Sequence, residues 1–333
     1  MYTIKKNRIL VSLFFLSFSF AAADARQPGS HSFSLSPLVG MLHGQAEEIV
    51  YRGPGSSRLY SELLWDLKPL IFVGLAADFG PDDPFRDSGF IAAASVRFGF
   101  PFRSGINENR DWLNPQENWL THFSRHDVYI QNAILFDISV GYSWRLTDSL
   151  ALRAHAEFSF MHFSWSGENG FIQYPPSRWP ANDYPAWNNE LPRRRLYGMV
   201  IRYSQNWFIF APGFSLLWRI NERFSLEGSF SYTPLIFCNA RDDHLHHSRP
   251  ITFWDYMSSG HYINGGGRLV FSARDNLDIV FSLSYMYITG TRGRTYRQDN
   301  ASGQVVAFND SAGAGFSALD ISIAARIRLT GRD

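Results

Sequence analysis

The 333-residue chain has one cysteine, Cys238, so no intramolecular disulfide can form and its stability must come from elsewhere. It has almost no net charge. The 31 Lys and Arg against 30 Asp and Glu leave +1, which gives no electrostatic footprint for a nucleic-acid partner. Charged residues are scarce altogether, at 18% against the roughly 25% usual in a soluble domain. Past the first two dozen residues no apolar run is long enough to cross a bilayer as a helix. The mean hydropathy of −0.18 is too polar for a bundle of such helices. Helical periodicity is also rare along the chain. What is abundant is aromatic: 29 Phe, 15 Tyr and 10 Trp make 16% of the residues. With hydrophobic residues at 45%, wholesale disorder is excluded. An aromatic-rich, charge-poor chain without membrane helices calls for another architecture.

The N-terminus carries Lys5, Lys6 and Arg8, then the apolar stretch Ile9–Phe20, then Ala21-Ala22-Ala23-Asp24-Ala25. A basic segment, a short apolar segment and a small-residue cleavage site are the parts of a secretory signal peptide, expected to span residues 1–25. Residues 26–333 are then expected to form a single domain, since no linker or composition break interrupts them.

That domain alternates. Leu277, Ile279, Phe281, Leu283, Tyr285 and Tyr287 share one face, and Leu319, Ile321, Ile323, Ala325, Ile327 and Leu329 share another. In Phe224–Ile236, Phe224, Leu226, Phe230, Tyr232 and Ile236 oppose Ser225, Glu227, Ser229, Ser231 and Thr233. Ile130–Trp144 likewise puts Ile130, Ile134, Phe136 and Ile138 opposite Gln131, Asp137 and Ser139. Leu152, Ala154, Phe158 and Phe160 oppose Arg153, His155 and Glu157. Strands of about ten residues or more, with charges facing one way and apolar groups the other, fit a membrane barrel better than a sandwich. Tyr142, Trp144, Trp207, Trp218, Tyr285 and Tyr287 fall near strand ends, as an interfacial girdle requires.

Connections alternate between short and long. Gly80–Pro84, Leu146–Asp148, Asn221–Glu222 and Arg274–Asn276 are short, whereas Arg103–Asp127, Gly167–Arg195, Arg241–Ser259 and Thr289–Gly313 read as long polar loops. Counting strands between them predicts an all-β, ten-stranded antiparallel transmembrane β-barrel, with long loops outside the cell and short turns in the periplasm. The even count removes sheet edges.

Two loop clusters carry chemistry. One runs Asn107-Glu108-Asn109-Arg110-Asp111-Trp112, with Ser124-Arg125-His126-Asp127 after it; the other is Arg241-Asp242-Asp243-His244-Leu245-His246-His247. On a ten-strand ring they lie roughly across the mouth from one another. A histidine beside a carboxylate on one wall, facing a carboxylate on the other, can hold and deprotonate a water. The same residues equally suit solvated polar loops. Asp242, His244, His246 and His247 are also metal-ligand types, although their spacing fits no familiar ligand pattern.

At this point the chain resembles the omptins, outer-membrane aspartate–histidine endopeptidases built on ten-stranded barrels. Asp242-Asp243-His244 followed by Ile251-Thr252-Phe253 is similar to the family's Asp-x-His and the strand start after it. Asp111-Trp112 resembles the end of its Asp-x-Asp-Trp motif, Ser124-Arg125-His126 a following segment, Phe136-Asp137 a position further along, and Gly44–Tyr51 the end of the first strand. The resemblance implies that Asp242 orients His244, that His244 takes a proton from the attacking water, and that Asp111 helps hold that water, with no acyl-enzyme and no cofactor. It implies that Glu48 receives a basic substrate side chain, and that lipopolysaccharide supports activity, with Arg193-Arg194-Arg195 a candidate for its phosphates. The expected partners are outer-membrane lipid and peptide or protein substrates.

Two positions depart from the family pattern. Asn109 stands where the family has an Asp, and Ala240 where it has a second acid of the basic-substrate pocket. An asparagine positions water but carries no charge. The main expectation is therefore an endopeptidase acting at basic residues. Its rival is a weakened or inactive barrel serving as a surface adhesin or binding scaffold. A pore is disfavoured because Arg153, Glu157, Asp137, Asp320 and Arg326 would fill a ten-stranded lumen.

Overall fold

The computed structural model describes residues 31–176, 183–245 and 250–329; the expected signal peptide lies outside the described residues. Every regular element in them is a strand. In chain order these are β1 (His31–Tyr51), β2 (Leu59–Pro81), β3 (Gly89–Gly99 continued by Phe102–Asp111), β4 (His122–Arg145) and β5 (Leu150–Gln173). The second half holds β6 (Met199–Arg219), β7 (Phe224–Thr233 continued by Ile236–His244), β8 (Ile251–Met257 continued by His261–Arg274), β9 (Leu277–Thr289 continued by Gly293–Asp299) and β10 (Val305–Arg328). Each pairs antiparallel with its neighbours, and β10 pairs with β1 from Ser34↔Arg328 to Val50↔Ala312. The ring is thus closed, a ten-stranded β-barrel. At this seam Gly44 has no substitute: a Cβ there would stand 1.9 Å from the Ser317 carbonyl oxygen.

One end is finished by side-chain-capped tight turns. Asp83 Oδ1 accepts from the Phe85 amide at 3.0 Å, Thr147 Oγ1 from Leu150 at 3.0 Å, and Asn221 Oδ1 from Arg223 and Phe224 at 2.9 and 3.0 Å. Above these turns an apolar band faces outward, with Phe224, Leu226, Phe230, Tyr232, Leu235 and Phe237 on β7 and Phe281, Leu283, Tyr285 and Tyr287 on β9. Above the band the outward positions become polar: Asn239, Arg241 and Asp243 on β7, and His43, Gln45 and Glu47 on β1.

Inside, the lumen is layered. At the turn end Arg97 spans it, bonding Asp320 at 2.5 Å and Asp137 at 3.0 Å. The fully buried Asp278 is held by Arg326 and Arg328 at 2.7 and 2.8 Å. His155 approaches Glu157 at 3.7 Å and Arg153 approaches Glu227 at 3.7 Å, the lumen-filling network expected for them. Over this lies an apolar layer in which Trp65 stacks on Tyr203 and Phe163 on Phe316, with Trp165 between the two stacks. Cys238 is part of this core, buried rather than lipid-facing.

Three sequence expectations are corrected. Most of the four long loops is strand: β3 runs on to Asp111, β4 begins at His122, β5 reaches Gln173, β7 reaches His244 and β8 begins at Ile251. The sheet therefore rises well beyond the apolar band. Trp207 is not in the girdle; it is fully buried in the interior, its indole N–H donating to Gln205 Oε1 at 3.0 Å. In two of the runs read from sequence the alternation also changes phase. A bulge between Ile130 and Asn132 turns Ile130 inward while Ile134 and Ile138 face out. The break at Pro234-Leu235 turns Ile236 inward and Leu235 outward. One extra residue exchanges the two faces of everything beyond it.

Candidate active site

The upper part of β7 runs between β6 and β8, with Asp242 facing Tyr203 on one side and Phe253 on the other. Alternation sends Ala240, Asp242 and His244 inward and Arg241 and Asp243 outward. The outward pair anchors the strand: Thr252 Oγ1 donates to Asp243 Oδ1 at 2.7 Å, and the Arg241 guanidinium does so at 3.0 Å. Facing inward, His244 Nε2 meets Asp242 Oδ2 at 2.5 Å, and the imidazole stands edge-on to Phe253, 5.5 Å between ring centres. With that N–H given to Asp242, Nδ1 is the basic nitrogen.

The facing wall is β3 with β2. Asn109 and Asp111 point inward, while Glu108 and Arg110 point outward, where Arg110 bonds Glu108 at 2.8 Å and Glu62 at 3.2 Å. Ser61 Oγ lies 2.6 Å from Asp111 Oδ1 and 3.3 Å from Asn109 Oδ1. Burial lifts the Asp111 carboxyl to about 6, although the Ser61 hydrogen bond and the charge of His244 pull the other way. Burial works against a charged His244, but Asp242, by charge and hydrogen bond, and then Asp111 and Asp243 outweigh it and hold the imidazole above its ordinary value. Asp111 and His244 thus stand in each other's field across the mouth.

Beneath them lies Glu48, only 3% exposed. Burial, and then the charges of Asp242 and Asp255, push its carboxyl well above the usual range. Glu48 and Asp242 act on each other by charge and hydrogen bond, so a proton on the glutamate lets one acid serve the other, while a hydrogen bond from the Trp65 indole pulls the glutamate back. Below, Gln205 crosses from β6 to donate to the Glu47 carbonyl at 2.8 Å, and the Trp65–Tyr203 stack closes the floor.

The five residues singled out from sequence, Glu48, Asn109, Asp111, Asp242 and His244, all face the interior of the upper barrel. They reach it from strands rather than loops. Three further participants escaped sequence reading. Ser61 is one. His122, the direct partner of Asp111 across β3–β4, is another; it packs against Tyr174 and Tyr184, and burial pushes it down to about 4, so it stays neutral. Asp255 is the third, facing the interior from β8 as the direct partner of Ala240. His246 and His247 lie outside the described residues, and among the described residues no three His, Cys, Asp or Glu are grouped to hold a metal ion. Arg194–Arg195 pairs with Phe171 and Ile172 at the far tip of β5, eleven residues beyond the band residue Phe160. That is about 36 Å measured along the strand.

Comparison with known proteins agrees with this architecture. The omptin family model matches residues 29–329. Protease 7 of Escherichia coli O157:H7 and Protease 7 of Escherichia coli strain K12 are each 21% identical over 288 residues, covering 85% of this chain and 86% of the relative. The crystal structure of the outer membrane protease OmpT from Escherichia coli superposes with a TM-score of 0.78 at 17% identity, covering 91% of this chain and 99% of that one. At that identity the likeness concerns the fold.

Proposed function

The chain belongs to the omptin family of outer-membrane proteases, and from that premise we propose that it is an endopeptidase that cleaves beside basic residues by direct attack of water. The observation that carries the reading is the closed Asp242–His244 pair with Asp111 facing it. In this mechanism Asp242 fixes the ring and steadies the imidazolium, and His244 removes a proton from a water lodged between the two walls. Asp111, held by Ser61, fixes the other side of that water and faces the oxyanion chemistry as a proton-sharing acid, a role its raised value suits. No covalent intermediate and no metal enter the scheme. The intact pair favours hydrolysis over the adhesin or scaffold reading.

Glu48 is proposed to receive the guanidinium or ammonium of the substrate. A buried carboxyl that holds its proton when empty releases it to solvent as a cation arrives and stabilises the carboxylate, so basic side chains are preferred over neutral ones. The mouth carrying the site is proposed to face the cell exterior, with lipopolysaccharide as the lipid partner carried over from the family.

The test is cleavage by protein refolded with lipopolysaccharide, offered peptides with Arg-Arg, Arg-Lys and neutral junctions. Cleavage at the basic junctions, abolished in His244→Ala, is expected. No cleavage by the wild type, or equal cleavage by the variant, overturns the reading.

A further inference from the structure

The resemblance to the family puts its second pocket acid at Ala240, and this chain has only a methyl group there. The register of the β7–β8 pair brings another acid to the same place. Ala240 and Asp255 are direct partners across that pair, and both side chains face the interior. Directly opposed residues on one face hold their Cβ atoms about 5 Å apart. A carboxylate on the β8 side therefore reaches the space that one on the β7 side would have occupied.

Asp255 behaves as an acid awaiting a cation. It is 5% exposed, and its Oδ1 has no hydrogen-bond partner. Its charge bears on Glu48, and that of Asp242 bears on it. Burial pushes its carboxyl up to about 7, against a compensating hydrogen bond from Thr295. No arginine or lysine is among the groups acting on either acid. A buried carboxyl oxygen without a donor, in the field of a second buried acid, is costly unless something positive reaches it.

We propose that Asp255 supplies the second carboxylate of the pocket for the substrate's basic side chain, so that Glu48 and Asp255 together grip an arginine or lysine from two strands. This deepens the proposed function and rests on its assignment of Glu48. The acid has changed strands and the pocket has kept its charge. Preference for basic residues should then remain at full strength in spite of Ala240, and a planar guanidinium would find acceptors on both sides.

The experiment measures binding, so it does not depend on turnover. In a His244→Ala background, in lipopolysaccharide-containing micelles, the Kd of an Arg-Arg peptide is compared with that of a Gln-Gln analogue. Asp255→Ser and Asp255→Asn should each weaken the Arg-Arg peptide at least about 30-fold and leave the Gln-Gln peptide within a few-fold. Moving the acid back, in Ala240→Asp with Asp255→Ser, should restore most of the loss. Unchanged Arg-Arg affinity in both Asp255 variants overturns the proposal, as does an equal loss for both peptides. Loss of the Arg-Arg preference in Glu48→Gln but not in Asp255→Asn would leave the glutamate acting alone and also sink it. A protein that binds as expected but cuts nothing with His244 restored would refute the proteolytic reading and spare this one.

Discussion

Ser61 and Asp111 are direct partners across β2 and β3, and the serine hydroxyl donates to the carboxylate at 2.6 Å. That bond favours the ionised acid, yet burial still lifts the acid to about 6. The site therefore keeps a carboxyl that shares a proton near neutral pH, held in place by a neighbour that does not titrate.

A stability prediction comes from the direction of that shift. Between the ordinary 3.8 and the folded value of about 6 the folded state binds more protons than the unfolded one. Stability from this group is complete below about 4 and is lost as the pH rises through 6, at a cost on the order of 3 kcal/mol by neutrality. Asp111→Asn keeps an acceptor for Ser61 and removes that cost. It should raise the heat-induced unfolding temperature at pH 7.5, followed by the gel shift between folded and unfolded barrel, and change it far less at pH 4. It should also lower kcat/KM at least about 100-fold. Equal shifts at both pH values would contradict the argument.

In the proposed mechanism His244 sets the acid limb of activity. The base works when neutral, and Asp242 holds it charged to a higher pH than an ordinary histidine. The rate should climb with pH through a midpoint above 6.5. In Asp242→Asn, kcat should fall about 10²–10⁴-fold, and the midpoint of the residual activity should move to lower pH. A midpoint that stays put would show that another group titrates.

Asn109 faces the same serine at 3.3 Å. A carboxylate there would place a second negative group beside Asp111 and strengthen the pull on the water. Asn109→Asp should raise kcat on the order of ten-fold and move the acid limb upward, because two neighbouring acids share a proton more tightly. A pH–rate profile of the variant checks both; a lower rate would mean that this chain uses the amide itself.

Far from the site, Arg97 joins Asp137 on β4 to Asp320 on β10 across the lumen. Arg97→Met leaves two enclosed acids without their cation and should cost about 3–5 kcal/mol. A folded barrel that melts earlier at pH 8 than at pH 4 is the expected sign, since acid protonates the orphaned pair. Equal melting at the two values would speak against it.

The strand order and count were legible because alternation is local: Leu277–Tyr287 on β9 and Leu319–Leu329 on β10 announce themselves without reference to any partner. The phase changes at Gln131 and at Pro234 were not, since each depends on a backbone bulge rather than on residue type. The upper strands were hidden for another reason. Beyond the lipid, outward residues such as Arg241 and Asp243 turn polar, and the inward ones, Asp242 and His244, are polar as well, as the proposed site requires. Contrast between the faces disappears, and strand looks like loop. Asp255 needed the β7–β8 register, which two separate segments of sequence do not reveal.

The layered interior has one more consequence. Trp65, Trp165, Tyr203, Phe163 and Phe316 seal the barrel between the charged network below and the acidic cleft above. A membrane crowded with this protein should lose no ions through it, and a planar bilayer holding it should stay electrically silent. The cleft can vary its charge to suit new substrates without making the cell envelope leak, because insulation and specificity reside in different floors of one cylinder.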